Sequence, residues 1–111
     1  MSALWNVSEM AAAMRAQKSG ALPAEIGGIS IDSRTLGKGD AFFAIAGENR
    51  DGHEFVAAAL VVGAGLAVIA KNRRDQFPAE APLLVVADAL EGLREQLTRV
   101  RVAVESLGHA L

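Results

Sequence analysis

The stretch from Phe55 to Ala70, FVAAALVVGAGLAVIA, carries two different apolar patterns on either side of Gly63 and Gly65. Phe55, Ala59 and Val62, flanked by Val56 and Leu60, recur at helical spacing and mark one face of a helix that ends at Gly63 or Gly65. LAVIA, Leu66 to Ala70, follows at once as an unbroken apolar run of strand length. So short a passage from helix to strand is the signature of an α/β unit, whose default is a parallel pair joined by a right-handed crossover. Its first strand is AFFAIA, Ala41 to Ala46, which is bounded by GKGD and Gly47 and apolar throughout, as a strand covered on both faces must be.

The remaining segments extend this unit. LLVVA, Leu83 to Ala87, is a further buried strand, reached through the polar connection NRRDQFPAEAP. ISIDS alternates Ile29 and Ile31 with Ser30 and Asp32 and predicts a short half-buried strand. Ser8 followed by EMAAAMRAQK predicts a capped helix closed by Gly20 and Pro23. From Asp88 onward, Leu90, Leu93, Leu97, Val100, Val104, Leu107 and Leu111 form a stripe with spacings alternating between three and four. Asp88 with Glu91 resembles a capping box at the start of that helix. The stripe either packs on the domain or forms the seam of a homodimer. The expectation is a single small α/β domain, a mixed β-sheet flanked by helices, with a C-terminal amphipathic helix.

Length and composition narrow the function. At 111 residues the chain is one domain, too small for a typical two-substrate enzyme with its own nucleotide site. The Ala57 to Ala70 region is interrupted by glycines and too short to span a bilayer, and the N-terminus lacks the basic start of a signal peptide. A cytoplasmic location follows. The chain has no cysteine and only two separated histidines, which argues against a metal site. A net charge of −2 with both signs interspersed argues against a nucleic-acid partner.

No phosphate loop, dinucleotide fingerprint, nucleophile elbow or zinc-protease motif is present. GKGD reads as a turn. DSR, Asp32 to Arg34, stands where the first strand runs out, a place where open α/β sheets contact ligands. Ser33 offers a hydroxyl and Arg34 a planar fork for a carboxylate or phosphate, unless Asp32 and Arg34 only pair with each other or with Asp40. In GENRDGHEF, Gly47 to Phe55, Asp51 and Glu54 form an N-cap arrangement, and Asp51→Ala is expected to cost about 1 kcal/mol. His53 falls in the first helical turn, where the lone ring is more often structural than catalytic. Glu48, Asn49 and Arg50 are left over, on a loop that is either solvated or a ligand contact, because free N–H groups before a helix favour an anion. No nucleophile–base pair is visible, so no catalytic residue is expected within this chain.

The ordered set SIDSRTLGKGDAFFAIAGENRDGHEFVAAALVVGAGLAVIA, Ser30 to Ala70, closely resembles the N-terminal domain of the Mur ligases, ATP-dependent amide ligases that build the peptidoglycan stem peptide. LWNVSEMAAAM and GENRDGHEF look more like the D-alanyl-D-alanine-adding (MurF) type than the diaminopimelate- or lysine-adding (MurE) type. The resemblance implies a UDP-binding domain over 1–87 that holds the UDP end of a UDP-MurNAc-peptide. It implies substrate contacts at Ile31, Ser33, Arg34, Glu48, Asn49 and Arg50. Residues 88–111 would be a helix at the boundary to a central domain carrying ATP and Mg2+, and D-Ala-D-Ala would be received beyond it. The likeness covers nearly all of this chain but only the first part of a full ligase. The tail departs from it, since ESLGHAL stands where a strand and phosphate loop are expected. The chain alone is therefore expected to hold no cofactor and not to hydrolyse ATP.

Overall fold

The computed structural model describes residues 5–46 and 51–94. Its centre is a five-stranded mixed sheet. The strands are β2 (Gln17–Ser19), β4 (Ile29–Ser30), β5 (Ala41–Phe43), β6 (Leu66–Ala70) and β7 (Leu83–Val86), in the spatial order β2-β7-β6-β5-β4. β4, β5, β6 and β7 run parallel, while β2 closes the edge antiparallel to β7 with Lys18 opposite Leu84. A separate small ribbon pairs β1 (Trp5–Asn6) with β3 (Glu25–Ile26).

Helix α1 (Val7–Met14) covers one face of the sheet and α2 (Val56–Val62) the other. The period of two explains why the strands are apolar throughout. Within β6, Leu66 and Val68 join Met10 and Met14 on the α1 face, while Ala67 and Ile69 join Val56 and Ala59 on the α2 face. Small residues at Ala59 and Ala67 suit the close packing of a helix on a sheet. The crossover expected from AFFAIA to LAVIA is present: β5 leads through α2 to its parallel neighbour β6, with Phe42 opposite Ala67. Gly63 ends α2 at φ 115°, a left-handed conformation that favours glycine, and its N–H reaches the carbonyls of Ala59 and Leu60.

Three local expectations need correction. The first helix stops at Met14, because Arg15 turns left-handed at φ 56°, and Gln17–Ser19 becomes the edge strand. Its cap is Asn6, whose side chain accepts from the Glu9 N–H at 3.0 Å, so Ser8 lies inside the helix. The ISIDS strand is only two residues long, and Ile31 has left the sheet with 59% of its surface exposed. The polar connection is also more ordered than its composition implies, forming a 3-10 turn over Lys71–Gln76.

Asp88 caps the helical residues 89–94, its Oδ1 accepting from the N–H groups of Leu90 at 2.9 Å and Glu91 at 3.3 Å. Glu91 pairs forward with Arg94 at 3.0 Å. Of the leucine stripe, Leu93 packs against the α1-face core and Leu90 is 39% exposed. Its members from Leu97 to Leu111, on which the dimer seam depends, lie outside the described residues. No described helix is long and apolar enough to cross a membrane.

Candidate functional site

β4 and β5 are parallel neighbours, so the chain leaves both at the same edge of the sheet, and a cleft of about 270 Å³ opens there. Its walls are Ile31, Asp32, Ser33 and Arg34 after β4, Phe42 and Ile45 from β5 and its exit, and Gly52 and Phe55 from the 3-10 turn Gly52–Phe55 before α2. Ile31 and Phe55 leave apolar surface open to solvent at its rim, 59% and 36% exposed.

The DSR segment divides into a structural pair and an unused hydroxyl. Asp32 accepts the Arg34 backbone N–H at 2.8 Å, and its two oxygens take Nε at 3.0 Å and Nη2 at 2.9 Å in a forked ion pair. That hydrogen bond and the aspartate's charge raise the Arg34 pKa above its ordinary value. Asp40 takes no part; it caps the GKGD turn by accepting from the Gly37 N–H at 2.9 Å. The Arg34 side chain is 75% exposed, so the pair itself contributes little stability and leaves Nη1 outside the fork. Ser33 lines the cleft, and its hydroxyl has no hydrogen-bond partner among the described residues.

Across the cleft, Asp51 organises the second wall. Its Oδ1 accepts from the His53 backbone N–H at 3.0 Å and lies 2.7 Å from the ring Nδ1. His53 is 5% exposed, and its Nε2 accepts the Ala70 N–H at 3.0 Å, so Nδ1 carries the proton and donates to Asp51. The other carboxylate oxygen pairs with the Arg73 guanidinium. Burial pushes the Asp51 carboxyl up, but the hydrogen bonds from His53 and Arg73 outweigh it and hold the group below its ordinary value. His53 is thus a structural clip between the 3-10 turn and the end of β6.

Asp51 is the N-cap, as expected, but the Glu54 side chain does not reach back to it; Glu54 gives only its backbone N–H, to the Asp51 carbonyl at 3.0 Å. The first-turn donors are therefore already used, and an anion cannot rely on them. Gly52 does permit a close backbone approach, but to the protein itself. Its N–H donates to the Ile45 carbonyl at 2.8 Å, and a Cβ at Gly52 would stand 2.6 Å from the Ile45 nitrogen.

The structure brings Ile31, Ser33 and Arg34 together in one cleft. Glu48, Asn49 and Arg50 lie outside the described residues, between Ala46 and Asp51, which pair in an antiparallel bridge. Sequence reasoning missed Phe42, Ile45 and Phe55 as cleft residues; the signal available was Phe55 at the junction of turn and helix. A second recess of about 280 Å³ also went unforeseen, where β5, β6 and β7 end, among His53, Asn72, Arg73 and Asp88. Its charged groups are already engaged, Arg73 with Asp51 and Asp88 with the helix it caps. No cluster of three metal-ligating side chains occurs among the described residues.

Residues 25–111 match the family described as Mur ligase family, catalytic domain. The chain is 41% identical over 73 residues to the UDP-N-acetylmuramoyl-L-alanyl-D-glutamate--2,6-diaminopimelate ligase of Rhizobium meliloti, covering 64% of this chain and 14% of that protein. The ligase of the same name from Bradyrhizobium diazoefficiens is 36% identical over 69 residues, 62% of this chain and 14% of that protein. Among solved structures, MurF from Acinetobacter baumannii superposes with a TM-score of 0.68 at 33% identity, over 82% of this chain and 20% of that one. The chain thus spans 14% to 20% of the length of these relatives.

Proposed function

The chain belongs to the Mur ligase family, and from that premise we propose that it is the N-terminal substrate-binding domain of a peptidoglycan ligase, which holds the UDP end of a UDP-MurNAc-peptide. The single observation that best supports this is the uncommitted Ser33 hydroxyl, set in a cleft between exposed Ile31 and Phe55 where parallel strands end. A planar base needs apolar walls of this kind and a few polar groups to orient it. Ser33 and the free Nη1 edge of Arg34 supply those groups, and Glu48, Asn49 and Arg50 complete the nucleotide-sugar contact in this reading.

The names of the relatives point to the same end of the substrate. The diaminopimelate ligases and the D-alanyl-D-alanyl ligase of Acinetobacter baumannii are all named for substrates that begin UDP-N-acetylmuramoyl and differ in the peptide. A domain shared between the two types is expected to grip what their substrates share. We assign this chain to the D-alanyl-D-alanine-adding type on the breadth of the structural likeness, 82% of the chain. A second reading, the diaminopimelate-adding type, is favoured by the names of the curated relatives.

In the complete ligase ATP phosphorylates the terminal carboxylate of the peptide and the D-Ala-D-Ala amine displaces that phosphate. The residues described here do not fit ATP and Mg2+, having neither a phosphate loop nor a metal-ligating cluster. On this reading the domain, residues 1–87, contributes binding energy remote from the reacting carboxylate, and 88–111 is the boundary helix to the cytoplasmic enzyme's central domain. Calorimetric titration with UDP-MurNAc-tripeptide, UDP and D-Ala-D-Ala tests it. The first two should bind, Ser33→Ala should weaken both, and D-Ala-D-Ala should give no heat. A chain that binds neither uridine compound at millimolar concentration contradicts the reading.

A further inference from the structure

We propose that Arg73, acting through Asp51 and His53, is a positioning residue for the cleft, although it lies outside the cleft itself. The inference rests on the reading of that cleft as the uridine-diphosphate site. Arg73 sits on the 3-10 turn Lys71–Gln76 after β6 and lines the second recess, not the first. Its guanidinium holds one oxygen of Asp51, leaving the other to receive the backbone N–H and Nδ1–H of His53.

Two turns therefore meet on one carboxylate, and backbone and ring contacts tie them to two strands. His53 fastens it to the end of β6 through the Ala70 N–H. Asp51 itself bridges to Ala46, and the adjacent Gly52 N–H bonds the Ile45 carbonyl at 2.8 Å, fastening it to the exit of β5. Ile45, Gly52 and Phe55 are the wall that this arrangement sets. The wall is a single 3-10 turn with few hydrogen bonds of its own, and Phe55 is 36% exposed, so burial alone does not fix its place. Without the guanidinium, the Asp51 carboxylate loses its lateral anchor and holds the His53 N–H and ring less firmly, which loosens the turn that carries Phe55.

The test uses the full chain, 15N-labelled, with UDP as the probe, in wild type, Arg73→Ala, Arg73→Lys and Arg74→Ala. Arg74 serves as the control because its guanidinium bonds Ser19 and the carbonyls after Gln76, at the far edge of the sheet. Arg73→Ala should move the Gly52 and His53 amide resonances in the free protein and weaken UDP binding about tenfold. Arg73→Lys, which can still reach one carboxylate oxygen, should restore most of the affinity, and Arg74→Ala should lose stability with UDP affinity unchanged. Wild-type affinity in Arg73→Ala overturns the positioning role alone, as does equal weakening in Arg74→Ala. A wild-type chain that does not bind UDP overturns the functional reading and this role with it.

Discussion

The Nε2 atom of His53 accepts the backbone N–H of Ala70 at 3.0 Å, joining the turn before α2 to the last residue of β6, seventeen positions along the chain. Ala70 is the last residue of the strand, and its backbone N–H takes the imidazole as its acceptor. His53→Ala removes that acceptor, the donor to Asp51 and a ring that is almost wholly buried. The substitution should cost about 2–4 kcal/mol, read as a lower urea midpoint. A loss below about 0.5 kcal/mol, the usual range for surface substitutions, would deny the clip.

Asp51 makes part of the stability pH-dependent. Burial raises its carboxyl, and the hydrogen bonds from His53 and Arg73 more than offset this, so its folded pKa lies below the ordinary 3.8. A depressed carboxyl favours the folded state fully above its unfolded value, and this contribution is lost as pH falls through the folded value. Urea unfolding between neutrality and strong acid should show wild type losing more stability below pH 3.8 than Asp51→Asn does. Parallel curves for the two proteins would mean that the carboxylate is not specifically held. Asp51→Ala should cost more than the roughly 1 kcal/mol of a simple N-cap, because three donors lose their acceptor.

Gly52 is required for space. A Cβ there would lie 2.6 Å from the Ile45 nitrogen and 2.9 Å from the Ala44 Cα, and both belong to the backbone and cannot swing aside. Gly52→Ala should destabilise by about 1–3 kcal/mol and shift the Ile45 and Phe55 resonances together. A variant as stable as wild type, with those resonances unmoved, would show that the turn has room the geometry denies.

The parallel core was legible because β5, β6 and β7 are apolar on both faces, and α2 ends at a glycine with its strand directly behind it. The edge strand was not. Gln17–Ser19 is polar, has no period, and continues a good helix-forming run; only its pairing with Leu83–Val86 makes it a strand. DSR was legible as a strand-end cluster, but not how Arg34 divides its edges: Nε and Nη2 meet Asp32 in the forked pair, and Nη1 stays outside it. The role of Arg73 could not be read at all, since NRRDQ gives no sign of which arginine meets a residue before the crossover helix.

Arg74 shows the same blindness on the other side of the molecule. Its Nη1 bonds the Phe77 carbonyl at 3.0 Å and its Nη2 the Ser19 hydroxyl at 2.8 Å, pinning the loop that leads into β7 against the edge strand. Arg74→Ala should cost about 1–3 kcal/mol. Hydrogen exchange should quicken at Gln17–Ser19 and remain slow in β6. Uniform quickening across the sheet would contradict a local role.

In the proposed function the uridine end of the ligand lies between Ile31 and Phe55. Nuclear Overhauser contacts from the uracil protons of bound UDP to the protein measure this directly. Contacts are expected to the Ile31 methyls and the Phe55 and Phe42 rings. Contacts instead to Ala46, Ala87 and Leu90, in the recess where β5, β6 and β7 end, would contradict it.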